Sequence, residues 1–111
     1  MINKNMSNSY SRIKITVLRR TLNEDFAREY TKEKIEFCPK NFEGQVYISI
    51  DGAKPEGFCD YAWRDIYKYV FTLLFEGNFG RWMRNPNTVI TCCTDGIRPV
   101  FYKIERIEDE D

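Results

Sequence analysis

The sequence predicts a small single-domain α+β fold, a mixed or antiparallel sheet of about four strands beside one dominant helix and one short one. Three observations carry that prediction. Apolar residues alternate with polar ones in several short runs, which is the strand period. One longer segment, DYAWRDIYKYVFTLLFEG, repeats at the helical period. The order is strand, helix, strand, helix, strand, strand, and it ends in a hairpin signal instead of a further helix. With 111 residues the chain has room for one core. We expect residues 1–10 to be a flexible extension, 11–108 the domain and 109–111 an acidic tail.

In RIKITVLR, Ile13, Ile15 and Val17 alternate with Arg12, Lys14 and Thr16, giving a first strand with one buried face. Thr21 and Glu24 stand at capping-box spacing ahead of a short helix over about 23–31, whose Leu22, Phe26 and Tyr30 recur every fourth residue. Cys38 precedes Pro39, so it belongs to an extended loop. QVYISIDG alternates Val46, Ile48 and Ile50 as a second strand that stops at Asp51-Gly52. The main helix opens near Asp60 and ends near Gly77, a residue suited to its C-terminal cap. TVITCC and IRPVFYKIERI form a terminal hairpin across Thr94-Asp95-Gly96, with Pro99 at a strand start or edge.

Composition narrows the function. Lys plus Arg and Asp plus Glu balance at 17 each, which argues against electrostatic capture of nucleic acid or an anionic membrane. The longest apolar run, YVFTLLF, is too short to span a bilayer. MINKNMSNSY lacks the apolar stretch of a secretory signal, so a cytoplasmic location and reduced thiols are expected. The chain has no histidine, which removes Ser-His and Cys-His nucleophile pairs, histidine-ligated zinc and imidazole bases.

The remaining chemistry centres on four cysteines. Cys59 lies at the start of the main helix, where the partial positive charge favours a thiolate; Asp60 opposes that effect and Arg64 assists it. Cys92 and Cys93 are adjacent in a strand and should point to opposite faces, one into the core beside Val89 or Ile90, the other toward a site shared with Cys59. Cys38 is the fourth candidate. Four thiols are the right number for zinc or an iron–sulfur centre, yet the spacing lacks any C-x-x-C. Three of them, or a dithiol redox pair, are the alternatives. Asp60, Asp65 and Asp95 offer general acids or bases, and Arg98 either binds an anion or pairs with Asp95 or Glu105. Trp82 lies between Arg81 and Arg84, within stacking reach of either.

The strings ITVLRRTLNEDFAREY, CPKNFEGQ, PEGFCDYAWRDIYKYV and CCTDGIRPVFYKIERIE resemble those of a family of small uncharacterised proteins of anaerobic bacteria and archaea, over about residues 12–108. The resemblance implies no activity, but all four cysteines fall within its strings. Two functions follow as expectations. One is a cysteine-based site, binding metal or an iron–sulfur centre or cycling thiols. The other is a homo-oligomeric binding or scaffold module joined through the broad apolar helix from Trp63 to Phe75, with structural cysteines. A small-molecule enzyme using Asp60, Asp95 or Arg98 is a third.

Overall fold

The computed structural model describes residues 12–107; the expected N-terminal extension and acidic tail lie outside them. The elements are β1 (Arg12–Arg20), α1 (Glu24–Tyr30), β2 (Val46–Ile50), α2 (Asp60–Leu74), β3 (Thr88–Cys92) and β4 (Val100–Ile107). They form a four-stranded sheet of order β2-β1-β4-β3 in which every pairing is antiparallel. Helix α2 lies across one face, against β1, β3 and β4. The α+β architecture is therefore as the sequence predicts, with the sheet antiparallel throughout.

The core follows from β1. Ile13, Ile15 and Val17 are buried to 1% exposure or less and meet Ala62, Ile66, Val70 and Leu73 of α2. Tyr102 and Ile104 of β4 and Val89 of β3 complete that layer. A bulge between Val17 and Arg19 shifts the β1–β4 register, so that Arg19 pairs Phe101 and Arg20 pairs Val100. That shift turns Arg20 toward the helix-covered face.

Strand β2 turns its alternating apolar set, Val46, Ile48 and Ile50, away from the helix. Ile13 pairs Ser49 and Ile15 pairs Tyr47, so Ser49 and Tyr47 share the helix-covered face. Val46 and Ile50 are exposed on the other face. Paired residues share a face, and burying the β1 trio decides which β2 residues turn inward. Tyr47 places its ring edge-on to Phe58 at 4.8 Å, and the fully buried Ser49 hydroxyl donates to the Ala53 carbonyl at 2.8 Å. Asp51 and Gly52 then turn with positive φ. A Cβ on Gly52 would press Phe71 and Leu74 at 3.1 and 3.2 Å.

Helix α1 also departs from its predicted capping. Asn23, not Thr21, occupies the N-cap, and no side chain caps it. The Thr21 hydroxyl and amide instead donate to the Pro99 carbonyl, at 2.7 and 3.0 Å. Without a buried residue, α1 leaves Phe26 and Tyr30 exposed. Trp82 does pack, but edge-on to Phe79 at 5.5 Å.

The end of α2 is a Schellman turn. Gly77 N–H donates to the Thr72 carbonyl and Glu76 N–H to that of Leu73. The left-handed position falls on Glu76, with φ 71°, one residue before the glycine expected there. A Cβ on Gly77 would lie 2.7 Å from Thr72 Cγ2, so glycine is needed there for space. We therefore expect Glu76→Gly to stabilise the protein by about 1 kcal/mol, read as a higher urea midpoint at unchanged slope.

Candidate functional site

Three segments far apart in sequence enclose one cavity of about 370 Å³ at the N-terminal end of α2. Each brings a cysteine. Cys59 is the N-cap residue of α2, with extended backbone. Its entry is tied by Lys54, whose ammonium donates to the Phe58 carbonyl at 3.1 Å and pairs with Asp60 at 2.9 Å. Asp60 itself points to this pair and does not line the cavity.

Cys93 follows β3 and continues its ladder, its amide donating to the Val100 carbonyl at 3.1 Å and its sulfur accepting the Val100 amide at 3.3 Å. It packs on the core and lines the cavity at once. The two tasks that the sequence divides between the adjacent cysteines thus fall to one residue. Cys92 pairs Phe101, on the face opposite Tyr102, and is outside the cavity. Burial pushes the Cys92 thiol up, and the neighbouring Cys93 and Asp65 add to that rise.

Cys38 is delivered by Arg20. The guanidinium donates to the Cys38 carbonyl at 3.3 Å, pairs with Glu43 at 3.2 Å and lies over the rings of Phe37 and Phe42. The Gly44 amide and Gln45 carbonyl bond to Val17, which holds the loop against β1. These contacts fix a segment that has no secondary structure of its own.

The hairpin loop forms the rim. Asp95 Oδ1 accepts the Ile97 and Arg98 amides at 2.9 and 3.0 Å, an Asx turn in place of a tight two-residue turn. Arg98 pairs with Asp95 at 3.6 Å. Asp65 of α2 accepts the Thr94 amide and hydroxyl. For Asp95, burial pushes the carboxyl up, but the two amides and the Arg98 guanidinium outweigh it, and the net shift is downward. A carboxylate lowered in the folded state stabilises above its ordinary pKa and loses that contribution as pH falls. We expect the Ile97 and Arg98 amides to exchange faster with solvent hydrogen as pH drops through the carboxylate range, after correction for intrinsic rates. Asp95→Asn should show the fast exchange already at neutral pH.

Two residues missed by sequence reasoning complete the site. Tyr102 is fully buried and its hydroxyl lacks a hydrogen-bond partner. Burial pushes its pKa far up, and Cys93, Cys59 and Cys38 act on it in the same direction. Asn41 is 1% exposed. Its Nδ2 reaches Cys38 Sγ at 3.9 Å while its Oδ1 lacks a partner. Both line the cavity. Alternation in VFYKIERI carried a signal for Tyr102, an inward-facing aromatic with a polar tip; Asn41 carried none.

A wider groove of about 610 Å³ lies between α1 and the loop after it, without a cysteine. Among the described residues, no group of three or more His, Cys, Asp or Glu is placed to hold a metal ion, and no helix is long and apolar enough to cross a membrane. No family model, curated protein or solved structure matches the chain. The family resemblance rests on its sequence strings alone.

Proposed function

We propose that the chain works through a cysteine-based site, with Cys38, Cys59 and Cys93 as its thiols and Asp95 and Arg98 shaping its rim. The observation that carries this reading is the convergence of three sequence-distant cysteines on one cavity, two of whose other lining residues, Tyr102 and Asn41, each hold an unsatisfied buried polar atom. Of the chemistries open to such thiols, the placement favours exchange with a small sulfur compound over zinc or an iron–sulfur centre, since the cysteines do not form a ligand cluster as they stand. In exchange, a cavity thiolate attacks one sulfur of a small disulfide. A new S–S bond joins the cysteine, and the other half leaves as a thiolate that takes up a proton. A reducing cytoplasm suits this use, and all four cysteines are free. The test is metal and sulfide analysis of protein purified without oxygen, with titration of the native thiols by a small disulfide. Metal-free protein whose three cavity thiols exchange supports the reading. Stoichiometric zinc, or iron with sulfide, replaces exchange with a metal centre. Inert thiols end it.

A second reading, self-association through α2, has support of its own. Trp63, Tyr67, Phe71 and Phe75 form a ladder of ring contacts at 5.6, 4.6 and 5.2 Å along the helix. Phe75 remains 69% exposed, and Tyr67 and Phe71 are exposed too. With zero net charge, two copies approach without mutual repulsion. Sedimentation of the wild type beside Phe75→Glu tests it: a dimer that the substitution dissociates supports association through this stripe, and a wild-type monomer rules it out.

A further inference from the structure

We propose that the cysteine cavity receives a small neutral compound bearing an amide beside its reacting centre, with the Tyr102 hydroxyl donating to the carbonyl oxygen and Asn41 Oδ1 accepting from the N–H. This deepens the thiol-site reading and rests on it.

Three observations lead to the amide. Two residues that line the cavity each hold a buried polar atom without a hydrogen-bond partner, the Tyr102 hydroxyl and Asn41 Oδ1. Buried polar groups without partners are rare because each costs its full desolvation, and one explanation is a group that arrives with a ligand. Their chemistry is complementary to an amide. A phenol that stays protonated offers a donor, the Asn41 oxygen accepts only, and an amide presents one acceptor and at least one donor. The third observation is charge. The cavity is lined by Lys40 and Arg98 against Asp65 and Asp95. Arg98 is engaged by Asp95, and Asp65 holds Thr94. The balanced lining selects no net charge in its occupant, so a neutral polar group fits better than a carboxylate or an ammonium.

The three thiols do not hydrogen-bond to the Tyr102 hydroxyl, although all three act on it electrostatically. Tyr102 and all three cysteines line the same cavity. The two polar atoms are closed to water, and a ligand reaches them as lining side chains turn about single bonds. A bound amide would therefore bring its neighbouring carbon or sulfur against Cys38, Cys59 or Cys93.

The test compares two thiol reagents on the native protein. Iodoacetamide carries an amide beside its electrophilic carbon: the thiolate forms an S–C bond, the C–I bond breaks, iodide leaves and the thiol's proton goes to water. Methyl methanethiolsulfonate modifies thiols without offering an amide. Rates are read at each cysteine by peptide mass spectrometry, with fragment ions separating Cys92 from Cys93. The expected result is saturable iodoacetamide labelling of a cavity cysteine, reduced about tenfold relative to methanethiolsulfonate labelling in Tyr102→Phe and in Asn41→Leu. Cys92 should keep its wild-type rate in both. Tyr102→Phe removes only the unsatisfied oxygen, so its melting temperature should be unchanged or raised, which separates lost recognition from lost folding. If both reagents change in parallel, or neither changes, the amide assignment is overturned while the thiol site stands. If no cavity cysteine of the native protein reacts with either reagent, the site itself is overturned.

Discussion

Truncating Phe58 to alanine is expected to cost about 3–5 kcal/mol of stability, the range for deleting a buried aromatic ring from a core. Phe58 is 3% exposed and central to the aromatic cluster beneath the cavity. Its ring meets Tyr47 at 4.8 Å, Tyr102 at 5.5 Å and Trp63 at 5.9 Å. It thereby joins β2, β4 and α2, and its removal leaves a void that three rigid rings cannot fill without moving. The loss is a large share of what a domain of this size has. Phe58→Leu should cost far less, because most of the volume is retained. Because Phe58 adjoins Cys59 and packs on Tyr102, the alanine variant should also expose the cavity thiols, seen as faster titration of Cys59 and Cys93 before global unfolding. Urea denaturation of both variants measures the first effect, and thiol titration the second.

Arg106 carries the next largest expected effect. Its guanidinium leaves β4 and donates to the carbonyls of Leu73 and Gly77, at 2.6 and 2.9 Å, and to Asn87 Oδ1. Two of those acceptors belong to the end of α2, where carbonyls lack helical partners and a cation meets the negative end of the dipole. No basic residue of the helix's own last turn does this work. Replacing Arg106 by leucine leaves the Gly77 carbonyl and Asn87 Oδ1 without this donor and the Leu73 carbonyl with the Glu76 amide alone; it should cost about 3 kcal/mol, since hydrogen bonds to a charged group contribute about 1.5–3 kcal/mol each and the losses overlap. Arg106→Lys should recover only part of it, as an ammonium cannot span the helix end and Asn87 with one planar fork. Thermal unfolding of the two variants separates charge from geometry. The ERI string gave no hint of this role, because the helix end that needs the cation lies 29 to 33 residues earlier.

Local pattern was enough where one element's burial decided its own shape. The alternation in RIKITVLR names the buried face of β1, and the long apolar period of α2 puts Ala62, Ile66, Val70 and Leu73 against it. In β2 the alternation locates the strand but not its buried face, although Val46, Ile48 and Ile50 are the apolar set. Pairing with β1 overrides them, and a serine is buried instead because its hydroxyl finds the Ala53 carbonyl. Thr21 looked like a helix cap, but the nearby Pro99 carbonyl takes its hydroxyl. In each case a long-range partner outbid a local one. The cavity was half legible for the same reason. A cysteine at a helix start and another at a strand end are visible in GFCD and CCTDG, whereas Asn41 and the Arg20 clamp on the Cys38 loop exist only once the bulge in β1 has turned Arg20 inward.

Cys38, Cys59 and Cys93 line one cavity, and Cys92 lies outside it. Cross-linking of the folded, reduced protein with the short bis-alkylating reagent dibromobimane tests it most directly, since it fluoresces only after joining two thiols. The expected result is fluorescent product containing two of Cys38, Cys59 and Cys93, retained in Cys92→Ser and lost when those three are replaced together. Cross-links formed only through Cys92, or none until the protein is unfolded, would contradict it.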